Sequence, residues 1–211
     1  MSGISAQGST LQIATGTGGA KTITAITVGN PAIVTSTAHG LNNGDVVVLA
    51  GIVGTMSTSL NGTAHVVSNK TANTFALLDV DTTGLTYTSG GTATPNTYTK
   101  INGLTSFSGF DGAGSELDTT DLDSTAMEYI LGLKDEGKFG FEIKVLKTDA
   151  GQIAVRAART SGALTGFKLT LPDASVATYT ALVKTFPSSG GVNAILKGSV
   201  DTKISGPVVW S

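Results

Sequence analysis

Few residues in this chain have types and spacings that could do chemistry. The 211-residue sequence holds two histidines, His39 and His65, and no cysteine. Without cysteine there are no disulfides, thiolate metal sites or cysteine nucleophiles, and the compartment stays open. A Ser-His-Asp arrangement would have to use one of the two histidines. His39 precedes Gly40-Leu41 at a turn and His65 falls within an expected strand, so both read as structural. Asp79-Val-Asp81-Thr-Thr83-Gly84 begins like a calcium loop, yet Gly90 stands where the bidentate glutamate belongs. Asp121-Leu-Asp123 lacks the glycine that should follow. Gly16, Gly18 and Gly19, or Gly109, Gly112 and Gly114, would suit a phosphate loop, but neither set leads into Lys-Ser/Thr or sits in a βαβ context. The carboxylates between Asp111 and Glu128 would suit glycoside cleavage only with an apolar pocket to raise one pKa, which their glycine-rich setting does not offer. No catalytic, cofactor-binding or metal-binding residue is assigned, and no enzyme is expected.

The elements that would position such residues divide into two styles. Residues 1–100 carry three acids (Asp45, Asp79, Asp81) and three bases (Lys21, Lys70, Lys100), while the other 12 acids and 10 bases follow residue 100. That break in composition suggests two folding units. The first reads as short strands punctuated by turns: Ile23–Val28, Ala32–Ser36, Val46–Leu49, Ala64–Val67 and Phe75–Leu78. Asn61-Gly62 is a hairpin signal and Gly90-Gly91 closes the segment.

The second unit has longer strands. From Lys138 to Leu146, Phe139, Phe141, Ile143 and Val145 share one face, and Lys138, Glu142 and Lys144 the other, as a half-buried strand requires. Phe167, Leu169 and Leu171 repeat the pattern. Val176–Phe186 and Val192–Val200 supply two more strands, and Val208–Trp210 a last edge strand. One helix is predicted between Asp149 and Gly162. Asp149 is its cap and Gln152 holds the capping-box position. Ala150, Ile153, Ala154, Ala157 and Ala158 form the apolar stripe, with Gln152, Arg156 and Arg159 opposite. Residues 107–137, rich in Gly and Asp with weak periodicity, predict a long functional loop or hairpin.

Composition narrows the function classes further. Charged residues are only 13% of the chain, half the usual ~25%. Ser, Thr, Asn and Gly must keep such a surface wet, which suits a protein that meets copies of itself over large areas. The net charge of −2 argues against a general nucleic-acid binder. No signal segment and no apolar run near ~18 residues is present, so no membrane association is expected.

The order of features in the second unit resembles the lambda-like siphophage tail-tube proteins. The run Tyr98-Thr-Lys-Ile-Asn-Gly-Leu-Thr-Ser-Phe-Ser-Gly109 looks like their early strand. The likeness continues through Leu117–Ser124, Glu128–Asp135, the helix after Lys147, Phe186-Pro-Ser-Ser-Gly-Gly191 and Val200–Gly206, and includes Ser5–Ala14. The intervening segment resembles the small β-domain of ubiquitin-activating enzymes known as the FCCH type, through Ile23–Pro31, Thr37-Ala-His-Gly-Leu41, Gly44-Asp45, Leu60-Asn-Gly62, Ala72-Asn-Thr-Phe75 and Gly90-Gly-Thr92. Ubiquitin chemistry is not implied, because there is neither a catalytic cysteine nor a nucleotide-binding domain. Together the resemblances imply domain insertion: 1–21 and 95–211 as the tail-tube domain, 22–94 as the insert. Gly16-Thr-Gly-Gly19 and Thr94-Pro95-Asn96 are the expected flexible joints.

The implied fold is mainly β: a tail-tube sandwich or barrel with one packed helix and a long loop, plus a small barrel-like insert. The implied function is structural. Subunits form hexameric rings that stack into a tube, a virion tail conduit for DNA that passes through the lumen without specific binding. The implied partners are further copies and the tape-measure, tail-tip and tail-terminator proteins, with assembly in the host cytoplasm and the insert contacting host surfaces. Within residues 108–136, Asp118, Asp121, Leu122, Asp123, Met127, Glu128, Tyr129, Ile130 and Leu131 are the expected subunit-interface positions, with Lys138, Arg156 and Arg159 as partners. Two other classes compete. A secreted or surface glycan-binding or adhesion module would display aromatics, which make up only 6% of the chain. A β-rich hydrolase would need a constellation that the sequence does not contain.

Overall fold

Turn residues punctuate this chain so often that most of its strands are short. The computed structural model describes residue 3 and residues 5–210. Positions 1, 2, 4 and 211, at the outer ends of the segments assigned from sequence, lie outside the described residues. The first strands are β1 (Thr10–Thr17), β2 (Lys21–Thr22), β3 (Ala25–Thr27), β4 (Ile33–Thr35) and β5 (Val46–Ala50). A short helix α1 (Ser57–Leu60) precedes β6 (Ala64–Ser68), β7 (Thr74–Leu77), β8 (Thr92–Lys100), β9 (Leu104–Gly109) and β10 (Ala113–Asp118). Then come β11 (Tyr129–Asp135), β12 (Lys138–Lys144), α2 (Ala150–Ser161), β13 (Thr165–Thr170), β14 (Val176–Thr185), β15 (Ser188–Ser189), β16 (Lys197–Ile204) and β17 (Val209–Trp210).

The strands run side by side as β3-β4-β7-β6-β5-β8-β1-β13-β14-β16-β12-β9, and every strand pair is antiparallel. The path ends on β3 and β9, which do not pair with each other, so the sheet does not close into a barrel. Two separate cores form along it. One gathers Leu11, Ile13, Phe139, Phe141, Phe167 and Tyr179 with the inner face of α2. The other gathers Ile23, Val34, Leu49, Met56, Phe75 and Leu77.

Strand β8 belongs to both parts. Its first half, Thr92–Pro95, pairs with β5, and its second half, Asn96–Lys100, pairs with β1. The joint expected at Thr94-Pro95-Asn96 is therefore paired strand and not a flexible linker. Two further contacts weld the parts together. The buried Thr178 hydroxyl donates to the Gly44 carbonyl at 3.1 Å, and Lys168 pairs with Asp45 at 3.4 Å with both side chains largely covered.

Helix α2 starts as expected and packs otherwise. The Asp149 carboxylate accepts from the Gln152 amide at 2.9 Å, and Gly162 closes the helix in the left-handed conformation. Gln152, however, is fully buried, while Ile153 is 49% exposed. The inward stripe is Gly151, Gln152, Val155 and Ala158, rotated from the alanine-centred stripe. The reason is chemical. The Gln152 side chain accepts from Leu146 N–H at 2.9 Å and donates to the carbonyls of Asn102 (2.7 Å) and Lys144 (2.8 Å). One amide thus satisfies three backbone groups, at the end of β12, just beyond it and in the turn after β8. Gly151 permits this approach, since a Cβ there would run into the Lys100 carbonyl.

Two other expectations are corrected. Asn61-Gly62 does not link two paired strands; Asn61 caps α1, and its side chain bonds the N–H and carbonyl of Ile52, both at 3.0 Å. The strand placed at Val192–Val200 begins only at Lys197 and runs to Ile204. Val192 is 96% exposed. The ladder to β12 and β14 instead buries Gly198, Val200, Thr202 and Ile204.

Candidate assembly surface

Residues 113–135 form a two-stranded hairpin set apart from the main sheet. Strands β10 and β11 pair Glu116 with Leu131, Leu117 with Ile130 and Asp118 with Tyr129, with a register shift after Gly114. This is the hairpin form of the segment read as loop or hairpin. It places all nine expected interface positions on or beside one arm, and none of them is buried. Leu122, Met127, Tyr129, Ile130 and Leu131 are exposed, as are Leu117 and Leu133, which the sequence did not single out. Exposed apolar surfaces of this extent are typical of contact sites.

The acids shape the tip of this arm. Asp118 accepts from the Thr120 N–H at 2.9 Å, and Asp121 accepts from the Asp123 N–H at 3.0 Å and the Ser124 hydroxyl at 3.2 Å. These are turn-forming side-chain bonds. The Thr120 side chain and backbone hold the Asp118 carboxyl below the usual aspartate range.

The base of the arm is clamped to the body. Lys203 on β16 donates to both carboxylate oxygens of Asp135, at 2.6 and 2.8 Å. That bond, and the Gly137 N–H at 2.8 Å, lower the Asp135 pKa. Asp111 accepts from the Lys138 N–H at 2.9 Å, which lowers its pKa, and lies 4.0 Å from the Lys138 ammonium. Both side chains of that pair stay largely exposed. Arg156 also has a partner, with its guanidinium 5.1 Å from the Phe186 ring centroid. Arg159, in the last turn of α2, is exposed.

The residues weighed for catalysis are separate and structurally employed. His39 is buried, accepts from Leu41 N–H at 3.0 Å through Nδ1, and directs Nε2 at the Thr74 carbonyl at 3.3 Å. His65 bonds Thr63 Oγ1 at 2.7 Å, and burial lowers its pKa. Asp81 accepts from the Thr83 N–H at 2.8 Å within its turn. Among the described residues no group of three or more His, Asp or Glu side chains could hold a metal ion. No helix among them is long and apolar enough to cross a membrane.

Two family models match parts of the chain. Residues 82–177 match the family model for the phage tail tube, lambda-like, and residues 29–96 match that for the FCCH domain of ubiquitin-activating enzyme E1. The two matches overlap at 82–96, which includes the half of β8 that pairs with β5. The tail-tube match covers a little under half of the chain, and over that stretch the chain is similar to a tail structural protein of the tail-tube type.

Among solved structures, the tail of an empty GTA particle, determined with C6 symmetry, is similar at 16% identity and a TM-score of 0.46, over 54% of this chain and 86% of that one. The six-fold symmetrised baseplate of the anti-feeding prophage is similar at 11% identity and a TM-score of 0.43, over 55% and 84%. No curated protein matches the sequence.

Proposed function

We propose that this chain is the major subunit of a tail tube, polymerising as stacked hexameric rings that form the conduit for DNA delivery into the host. The tail-tube match over residues 82–177 supports the class. The single observation that carries polymerisation is the β10–β11 arm, which exposes seven large apolar side chains that its own chain leaves uncovered. Ring formation also gives the unpaired edge of β9 a partner, which removes an aggregation hazard. The arm buries few side chains to offset its ordering entropy, so it tightens when a neighbouring copy covers it. Residues 22–94 act as an inserted module within a tube domain made of 1–21 and 95–211; the two separate cores support that division. The module faces outward and contacts host surfaces, while DNA slides through the lumen without specific binding. Assembly takes place in the host cytoplasm with the tape-measure, tail-tip and tail-terminator proteins. Light scattering across a concentration series tests the reading: dilute protein is monomeric, and concentrated or tip-nucleated protein forms large particles. Monomers alone up to millimolar concentration, with nuclei present, would refute it.

A further inference from the structure

The arm and the far end of the body carry complementary chemistry. Between residues 113 and 134 the arm has five acids and one base, whereas residues 138–210 hold four acids and nine bases. Charge is therefore segregated along the subunit. At the arm's base, the lysines Lys138 and Lys203 stand directly opposite each other on β12 and β16, and they meet Asp111, just before the arm, and Asp135, at its end. At the other end of the same two strands a facing lysine pair recurs, and the one acid nearby on that face, Glu142, accepts from the Ser106 hydroxyl at 3.2 Å instead. Lys144 stands directly opposite Lys197 on the outward face. Like charges so placed repel, and among the described residues neither makes an ion pair. Lys147 follows two residues beyond β12, also exposed.

Apolar side chains accompany these lysines. Val145 N–H donates to the Leu196 carbonyl at 2.9 Å, so the chain around Leu146 lies beside the loop that precedes β16. Leu146, Ile195 and Leu196 are all substantially exposed there. The result is an apolar patch rimmed with unpaired lysines, matching an arm of exposed leucine, isoleucine and tyrosine rimmed with acids.

The base of the arm and this patch lie at opposite ends of β12. The arm leaves the sheet at Lys138, and Lys144 lies six residues along β12, roughly 20 Å away at the rise of a strand. The two surfaces therefore sit at opposite ends of one axis. Different patches at opposite ends give a head-to-tail contact, which propagates rather than closes.

We infer that the Lys144–Lys197 end, with Leu146, Ile195 and Leu196, is the receiving surface for the β10–β11 arm of the next copy along the tube. This rests on the tube-subunit reading and adds the place where the arm docks. The test uses zero-length carbodiimide coupling on the unmodified protein, followed by peptide mass spectrometry. In assembled tubes, carboxylates of residues 116–128 become joined to Lys144, Lys147 or Lys197, and these joins are absent from dilute monomer. Tubes whose arm joins only other lysines, or none, would overturn the docking site and leave the tube reading intact. Failure of the protein to assemble at all would overturn both. A charge exchange gives a second measure. Lys144→Glu/Lys197→Glu and Asp123→Lys/Glu128→Lys each reduce polymer yield at least tenfold, and the four changes in one chain restore it. Continued loss in the combined variant, with monomer melting unchanged, would count against the pairing.

Discussion

The side-chain amide nitrogen of Gln152 lies 2.7 Å from the Asn102 carbonyl and 2.8 Å from that of Lys144, so a single helix residue ties the β8–β9 turn to the end of β12. This amide fixes α2 on the sheet and with it the corner beside the proposed receiving surface.

Gln152→Leu should therefore destabilise the monomer despite its greater hydrophobicity. It strands the Leu146 N–H and two carbonyls, and each buried unpaired group costs about 1–3 kcal/mol. A net loss of about 3 kcal/mol is expected in urea unfolding. Unchanged stability would show that water replaces the amide there.

The inserted module should be removable even though it is docked. Replacing residues 22–94 with a short Gly/Ser linker leaves the β1–β8 pairing of Gln12–Thr17 with Asn96–Lys100 intact, so the shortened chain should fold and polymerise. In the full chain, Thr178→Val leaves the Gly44 carbonyl without its donor and should cost about 1–2 kcal/mol. In the shortened chain the same change should cost nothing measurable. Equal costs in both chains would show that Thr178 acts through the tube domain alone.

The clamp at the arm's base should depend on pH in one direction. The Asp135 pKa is lowered in the folded chain, chiefly by Lys203. Its contribution is thus complete above the unfolded aspartate value of about 3.9 and is lost as pH falls through the folded value. Amide exchange across residues 111–137 should quicken below about pH 4 relative to the rest of the sheet. Lys203→Ala should produce the same quickening at pH 7. Protection that ignores both changes would place the anchor elsewhere.

The apolar face of the arm should matter to assembly and hardly at all to the fold. Tyr129→Ala/Ile130→Ala removes side chains that are more than half exposed, so monomer stability should shift by about 1 kcal/mol or less. Polymer yield should collapse. Normal polymerisation by this variant would remove the arm from the interface.

These residues also show what the sequence could reveal. The Lys138–Lys144 alternation was legible because its apolar residues all face one core. The Asp149 cap was legible because capping is local. Gln152 points inward against its polarity because its three backbone partners, at Leu146, Lys144 and Asn102, lie outside the helix and leave no mark on the helical wheel. The strand β16 was displaced because Val192, Ile195 and Leu196 look like core residues, while the inward Gly198 and Thr202 do not. The arm's strands were hidden for a related reason: Leu117, Ile130, Leu131 and Leu133 are exposed and mark no face against the core.

Electron microscopy of the purified protein at high concentration tests the central claim most directly. Hollow tubes with a regular axial repeat, whose end views show six-fold rings, are the predicted result. Monomers alone, or solid fibrils with the ~4.7 Å cross-β repeat, would contradict it.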